Sequence, residues 1–261
     1  MCLILFAYKV VPGCPLIVAA NRDEWFSRPA MPAAFWTDHP QILAGRDLQA
    51  GGTWLGVSTQ GRFAALTNFR DPNDRRLDAP SRGALVSSFL TGAMSARTFT
   101  DELAGQAEAY NGFSMLAGDV SGLFCYSNRG GDPIEVQPGV HGLSNHLLDT
   151  PWPKVVKGCA GLERLLPRPY RSGDFLDLMD DSVPPEERVL PQAQPGQDWE
   201  RSLSSMRIMK GEYGTRCSTA LRLCEDGMSE LAERTYHRNG DIEGEVSYAF
   251  KVDFSPSLIS T

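Results

Sequence analysis

The residue with the most chemical potential in this sequence is the cysteine at position 2. An initiating methionine is normally trimmed when the next side chain is small, and cysteine qualifies. Loss of Met1 would leave Cys2 with a free α-amino group. That amine has a reference pKa of ~8, close to the ~8.5 of the thiol. One residue would then hold both nucleophile and base, the logic of N-terminal threonine catalysis. With Met1 retained, the amine lies one residue away and the arrangement fails. A plainer reading stands beside this one. Cysteine is a small, often buried hydrophobe, and Cys2 opens an apolar run.

The second cluster is Asn21-Arg22-Asp23-Glu24, which ends the apolar run from Pro15 to Ala20. Four polar residues after such a run are commonly a solvated turn. If residues 2–10 and 15–20 form a hairpin, however, the string lies beside Cys2. A guanidinium there would favour the thiolate, and a carboxylate would hold the α-amino group. Arg22 and Asp23 are adjacent, and neighbours on a strand point to opposite faces. Both reach Cys2 only if the strand is turning at this point.

The elements that must position these groups follow from pattern and punctuation. Pro12-Gly13 separates the strands 2–10 and 15–20, and Gln60-Gly61 separates 53–59 from 62–69. Residues 82–93 and 98–110 carry helical patterns, with Thr98 or Thr100 as the cap of the second. Strands return at 113–120 and 122–128, joined at Ser121-Gly122. Residues 153–166 read as a helix with Pro151 and Pro153 at its start. Residues 172–181 read as a short helix. The Pro-rich stretch 183–198 reads as a loop or lid. Strands at 215–224, 229–237 and 245–254 close the chain, with Asp226-Gly227 as the turn between the first two. Hairpins at both ends with helices between them predict antiparallel sheets covered by helices, within a single domain over 1–261. No GxGxxG or Walker motif opens a helix after a strand, so no phosphate cradle is expected.

Composition narrows the class. Of 261 residues, 42% are hydrophobic and 22% charged, enough apolar content for an ordinary core. The net charge of −7 and the absence of a Lys/Arg cluster argue against nucleic acid. No apolar run reaches the ~18 residues of a membrane span, and the opening lacks a basic n-region. The six cysteines, Cys2, Cys14, Cys125, Cys159, Cys217 and Cys224, form no CxxC pair and no zinc spacing. The expectation is a cytoplasmic protein in which five of them are plain reduced thiols, with no metal and no cofactor. The histidines, His39, His141, His146 and His237, are scattered and read as structural or solvated.

Taken together, several strings resemble the NRDE family, the Transport and Golgi organisation protein 2 type. They are Met1-Cys2-Leu3-Ile4, Ala20 to Glu24, Gly51-Gly52-Thr53-Trp54-Leu55-Gly56, Ala64 to Asn68, and Tyr110-Asn111-Gly112-Phe113. Asn128-Arg129-Gly130, Gly142-Leu143-Ser144-Asn145 with Pro151-Trp152, and Tyr213-Gly214-Thr215-Arg216 complete the pattern. The family looks like a relative of N-terminal-nucleophile hydrolases. That resemblance implies an α+β fold, a four-layer αββα sandwich of two antiparallel sheets. It also implies a site of Cys2, Arg22, Asp23, Asn68, Asn145 and Arg216. In those hydrolases residues separate the arginine from the aspartate; here the two are adjacent. Asn68 and Asn145 resemble the asparagines near the oxyanion and nucleophile, and Arg216 a late active-site arginine. The implied activity is hydrolysis of a non-peptide amide bond in a small acylated molecule. The alternative is a binding or trafficking protein for haem, lipid or acyl-CoA on the same fold. A glutamine amidotransferase shares a Cys2 nucleophile, but no synthase domain or ammonia acceptor site is visible.

Overall fold

The computed structural model describes residues 2–70, 76–185, 203–225 and 228–253. Two long strands come first, β1 (Cys2–Val11) and β2 (Cys14–Trp25), paired antiparallel from Cys2 opposite Arg22 to Val11 opposite Cys14. Both are apolar on both faces, as strands covered on both sides must be. Leu3, Leu5, Ile17 and Ala19 belong to one core cluster, and Ile4, Phe6, Val18 and Ala20 to another.

The first sheet also takes β10 (Gly139–Leu143), β11 (Met209–Lys210), β12 (Tyr213–Leu223), β13 (Ser229–Tyr236) and β14 (Ile242–Phe250). Its order is β10-β1-β2-β12-β13-β14, with β11 paired to β12. The expected central pairing of the first two strands is therefore present. The second sheet runs in chain order through β3 (Ala30–Phe35), β4 (Ile42–Asp47), β5 (Leu55–Ser58), β6 (Phe63–Asn68), β7 (Phe113–Asp119), β8 (Gly122–Ser127) and β9 (Ile134–Glu135). Among the described residues every strand pairing is antiparallel.

The sheets face each other across a core of Ile4, Phe6, Val18, Leu43, Val57, Leu116 and Leu221. Two helices, α1 (Gly83–Thr91) and α2 (Ala96–Ala104), cover the outer face of the second sheet, packing Val86, Phe89 and Leu103 against Ile42, Ala64 and Met115. Two more, α3 (Pro153–Leu165) and α4 (Ser172–Met179), cover the outer face of the first, packing Val155, Leu162 and Phe175 against Leu3 and Leu5. This is the four-layer αββα sandwich. No helix among the described residues is long and apolar enough to cross a membrane.

Four expectations change. First, β2 does not end before the polar string; it runs through Asn21, Arg22, Asp23 and Glu24 to Trp25. These residues pair with β12, Asn21 opposite Ser218 and Asp23 opposite Thr215. Asn21 is fully buried. Its amide nitrogen donates to Met179 O and Met206 O, both at 2.9 Å, and its oxygen accepts from Ser218 Oγ at 2.6 Å. Tertiary partners replace the water that a turn would need.

Second, the helix expected over 98–110 begins earlier and ends sooner. Ser95, not Thr98 or Thr100, is its cap, accepting from Thr98 N. Thr100 is buried inside the helix and donates to Ala96 O at 3.0 Å. Third, β3, β4 and β10 form although their sequences carry no strong local strand or turn signal.

Fourth, Cys14 and Cys224 are not thiols but a disulfide, closing a separation of 210 residues. The β2–β12 pairing brings their Cα atoms to 4.0 Å, a juxtaposition that spacing alone does not encode. Cys2, Cys125, Cys159 and Cys217 are free. The Asp226-Gly227 turn and residues 186–198 of the Pro-rich loop lie outside the described residues.

Candidate active site

Cys2 sits at the first residue of a central strand, at one end of the first sheet and 8% exposed. It lines a cavity of about 750 Å³, within the range of small-molecule sites. Arg22, Asp23, Asn68 and Arg216 line the same cavity. Asn145 completes the group from behind. Its side-chain oxygen accepts from the main-chain nitrogen of Cys2 at 3.3 Å.

That contact has a supporting frame. Ser144 Oγ donates to Cys2 O at 2.9 Å, so consecutive residues after β10 hold both main-chain polar groups of Cys2. Asn145 has φ of 55°, in the left-handed region that asparagine tolerates better than most residues. Its side-chain nitrogen donates to Asn68 O at 2.8 Å, and its main-chain nitrogen to Thr67 Oγ1 at 3.3 Å. Asn145 thus ties the start of β1 to the end of β6 in the opposite sheet. The side-chain amide of Asn68 makes no hydrogen bond among the described residues, and Asn68 is exposed at the cavity.

Arg22 stands directly across from Cys2 in the β1–β2 register. Its guanidinium is shared with carboxylates: Asp47 Oδ2 at 3.3 Å and Glu24 Oε2 at 4.0 Å. Partial burial alone would push the Asp47 carboxyl up. Arg28 Nε at 2.5 Å and the Ala50 N–H outweigh it and hold that carboxyl below the usual range. Arg22 is therefore an ion-pair member as well as a neighbour of the thiol.

Asp23 lies one residue past the Cys2–Arg22 pair. The strand does not turn here; it stays paired with β12 through both residues. Arg22 comes from the facing register position. Asp23 is the next residue of β2, and its main-chain N–H donates to the sulfur. Its carboxylate accepts from Thr215 Oγ1 at 2.7 Å, and Tyr213 OH donates to its carbonyl at 3.2 Å. Burial pushes the Asp23 carboxyl up, opposed by Lys154, Thr215 and Arg22.

Arg216 owes its position to an irregularity. Thr215 pairs with Asp23 and Cys217 with Arg22, leaving Arg216 as the extra residue of a bulge in β12. Bulges re-aim side chains in this way beside functional sites. Its guanidinium donates to Trp25 O at 3.0 Å and Arg28 O at 2.8 Å and lies over the Phe26 ring.

The Cys2 thiol is pushed up by burial. The Asp23 N–H and Arg22 lower it, and the Asp23 carboxylate raises it. The expected thiolate-favouring guanidinium is thus present, but desolvation is the larger effect. The other free thiols are also raised by burial, Cys125 to about 12 and Cys159 to about 11.

Two buried ionisable residues at the site carry almost no sequence signal. Glu233 on β13 is 3% exposed, accepts from Ala33 N at 2.7 Å across the sheets, and lines the cavity. Lys154 on α3 is 5% exposed, and its surroundings include Asp23 and Cys2. The one clue to Lys154 is a charged residue on the apolar stripe of a helix.

The chain is a four-layer αββα sandwich of two antiparallel sheets with a cysteine at the head of a central strand, beside a cavity. Family comparison then identifies the chain. It belongs to the Transport and Golgi organisation 2 family, whose model matches residues 1–238. It is 38% identical over 263 residues to the Homo sapiens Transport and Golgi organization protein 2 homolog, covering 90% of this chain and 93% of that one. The Drosophila melanogaster Transport and Golgi organization protein 2 is 26% identical over 265 residues, covering 90% and 92%. Among solved structures, the chain is similar to a Caenorhabditis elegans N-acylethanolamine-hydrolyzing acid amidase ortholog, with TM-score 0.49 and 9% identity over 84% of this chain and 92% of that one. It is also similar to the C2A mutant of the conjugated bile acid hydrolase from Clostridium perfringens, with TM-score 0.43 and 11% identity over 97% and 98%.

Proposed function

We propose that this protein, once Met1 is removed, is an N-terminal-cysteine hydrolase that cleaves a non-peptide amide bond in a small acylated molecule. The observation that carries the reading is the 3.3 Å contact from Cys2 N to Asn145 Oδ1 at the wall of the cavity. Once Met1 is lost, the same asparagine oxygen would hold the amine that serves as the base of the nucleophile.

The Cys2 sulfur adds to the amide carbonyl carbon, and the thiol proton passes to the α-amino group. The Asn68 side-chain amide donates to the oxyanion, a contact worth about 3–4 kcal/mol per donor in known oxyanion holes. The C–N bond then breaks, and the leaving amine takes the proton from the α-ammonium. Water attacks the thioester with the α-amino group as base, the proton returns to the sulfur as the C–S bond breaks, and the acid departs. Asp23 holds the α-amino group, while Arg22 and Arg216 orient the polar part of the substrate.

The alternative is carriage of haem, lipid or acyl-CoA, whose apolar part needs a continuous apolar wall. Here Trp54, Leu66 and Met31 are interrupted by Arg22, Arg216 and Asp47. The test is incubation of the trimmed protein with N-acyl amines, an acid quench and mass analysis of the N-terminal peptide. An acyl adduct on Cys2, absent in Cys2→Ala, is expected. A bound small molecule recovered unmodified, with neither adduct nor free acid, would overturn the hydrolase and favour the carrier. Action in the cytoplasm further requires that the fold tolerate reduction of Cys14–Cys224.

A further inference from the structure

Arg216 is the extra residue of the β12 bulge, between the partners of Asp23 and Arg22, and it lines the Cys2 cavity. Its guanidinium is used on one side only. Nη1 donates to Trp25 O at 3.0 Å and to Arg28 O at 2.8 Å, and the group lies over the Phe26 ring at 5.2 Å. Trp25 O also accepts from Arg28 N at 3.0 Å, so the turn after β2 grips the guanidinium. Nε and Nη2, which share the other edge, make no hydrogen bond among the described residues.

The carboxylates that line the cavity are engaged elsewhere. Asp47 and Glu24 both pair with Arg22 and Arg28. Glu233 accepts from Ala33 N at 2.7 Å and from Thr219 Oγ1 at 3.1 Å, and Asp23 accepts from Thr215 Oγ1. Glu243 and Glu24 act on Arg216 only from beyond ion-pair distance. Burial and the Arg22 charge both work against the Arg216 cation. A guanidinium does not relieve such strain by losing its proton, so the relief must come from an anion.

The edge formed by Nε and Nη2 matches the two oxygens of a carboxylate, the bidentate geometry that arginine favours. A doubly charged phosphate suits the cavity less, because Glu24, Asp47, Glu233 and Glu243 line it and repel the second charge. β12 lies two strands from β1, about 10 Å at ordinary strand spacing. A carboxylate held on Arg216 therefore falls within one small molecule of Cys2. Trp54, Leu66 and Met31 offer apolar wall to an acyl chain, which leaves the carboxylate to the amine half.

We propose that Arg216 is a specificity-determining residue of the cavity, the receptor for a carboxylate on the amine half of the substrate amide. The substrate assignment rests on the hydrolase reading; the binding of the anion by Arg216 does not.

The experiment is calorimetric titration of the Cys2→Ala chain with dodecanoyl amides of glycine, ethanolamine and phosphoethanolamine, which share one acyl group and differ in charge. The glycine amide is expected to bind about tenfold tighter than the neutral ethanolamine amide, with the phosphate between them. Adding Arg216→Gln should erase that preference and leave the affinity of the neutral amide in place. Arg216→Lys, which keeps the charge but not the fork, should recover part of it. A merely structural arginine would lower the melting temperature on substitution and leave the preference intact. Equal affinity for the glycine and ethanolamine amides in the Cys2→Ala chain overturns the proposal even if Arg216→Gln fails to fold. So does tightest binding of the phosphate, a preference that survives Arg216→Gln, or failure of all three amides to bind. Arg216-dependent binding of the glycine amide with no acyl adduct on Cys2 of the unsubstituted chain would leave the carboxylate receptor standing and remove the hydrolase.

Discussion

The side-chain oxygen of Asn145 accepts from the main-chain nitrogen of Cys2 at 3.3 Å, across 143 residues of sequence. The same side chain donates to Asn68 O, so one asparagine joins the head of β1 to the opposite sheet. Asn145→Ala should lose both bonds while keeping an unfavourable left-handed backbone, a loss of about 1–3 kcal/mol. Asn145→Gly should lose less, because glycine adopts positive φ freely. Urea unfolding checks this; equal losses for the two variants would mean that backbone conformation contributes nothing there.

Arg22→Ala should shift the pH midpoint of Cys2 alkylation upward, since removing a nearby positive charge raises a thiol pKa. The shift should stay under about one unit, because Asp47 and Glu24 already share the guanidinium. Arg22→Lys should recover most of it. Iodoacetamide labelling with peptide mapping reads the profile, and superimposable curves for wild type and Arg22→Ala would remove Arg22 from the electrostatics of the thiol.

Thiol counting tests the disulfide. Protein purified in air without reductant and denatured should give four titratable thiols, those of Cys2, Cys125, Cys159 and Cys217. Prior reduction should raise the count to the six cysteines of the sequence. The Cys14→Ser, Cys224→Ser double variant should lose about 2–5 kcal/mol of stability. Six thiols without reduction would show that the two strand ends are not bonded.

The segment carrying Asn145 should be pH-sensitive. Asp149 accepts from Gly142 N at 2.9 Å and pairs with His141 Nδ1 at 2.8 Å, which raises the His141 pKa. A raised histidine pKa contributes stability that is fully present below the unfolded value of ~6.5 and is lost as pH rises through the folded value. Asp149→Asn should therefore cost more at pH 5.5 than at pH 9, by about 0.5–1 kcal/mol for a half-exposed pair. Denaturant midpoints at the two pH values decide it; a pH-independent loss would mean the imidazolium contributes nothing.

Local structure was largely legible in the sequence. Apolar runs broken by Pro12-Gly13 and Gln60-Gly61 specify the hairpins β1–β2 and β5–β6, and the stripe after Pro153 specifies α3, because these signals are carried within a few residues. The motif strings point to all six candidate site residues. Their convergence is a tertiary matter. Arg22 and Asp23 read as a turn in isolation, and β12 supplies the partners that make them strand; Arg216 reaches the cavity from a bulge of β12 opposite that pair. Cys14 and Cys224 carry no mutual signal; adjacent strands bring them together. Lys154 lies on a helix, and only the packing of α3 on the first sheet buries it. A charge on a helix is cheap in water and expensive under a sheet, and which of the two it meets is settled by packing between segments far apart in the chain.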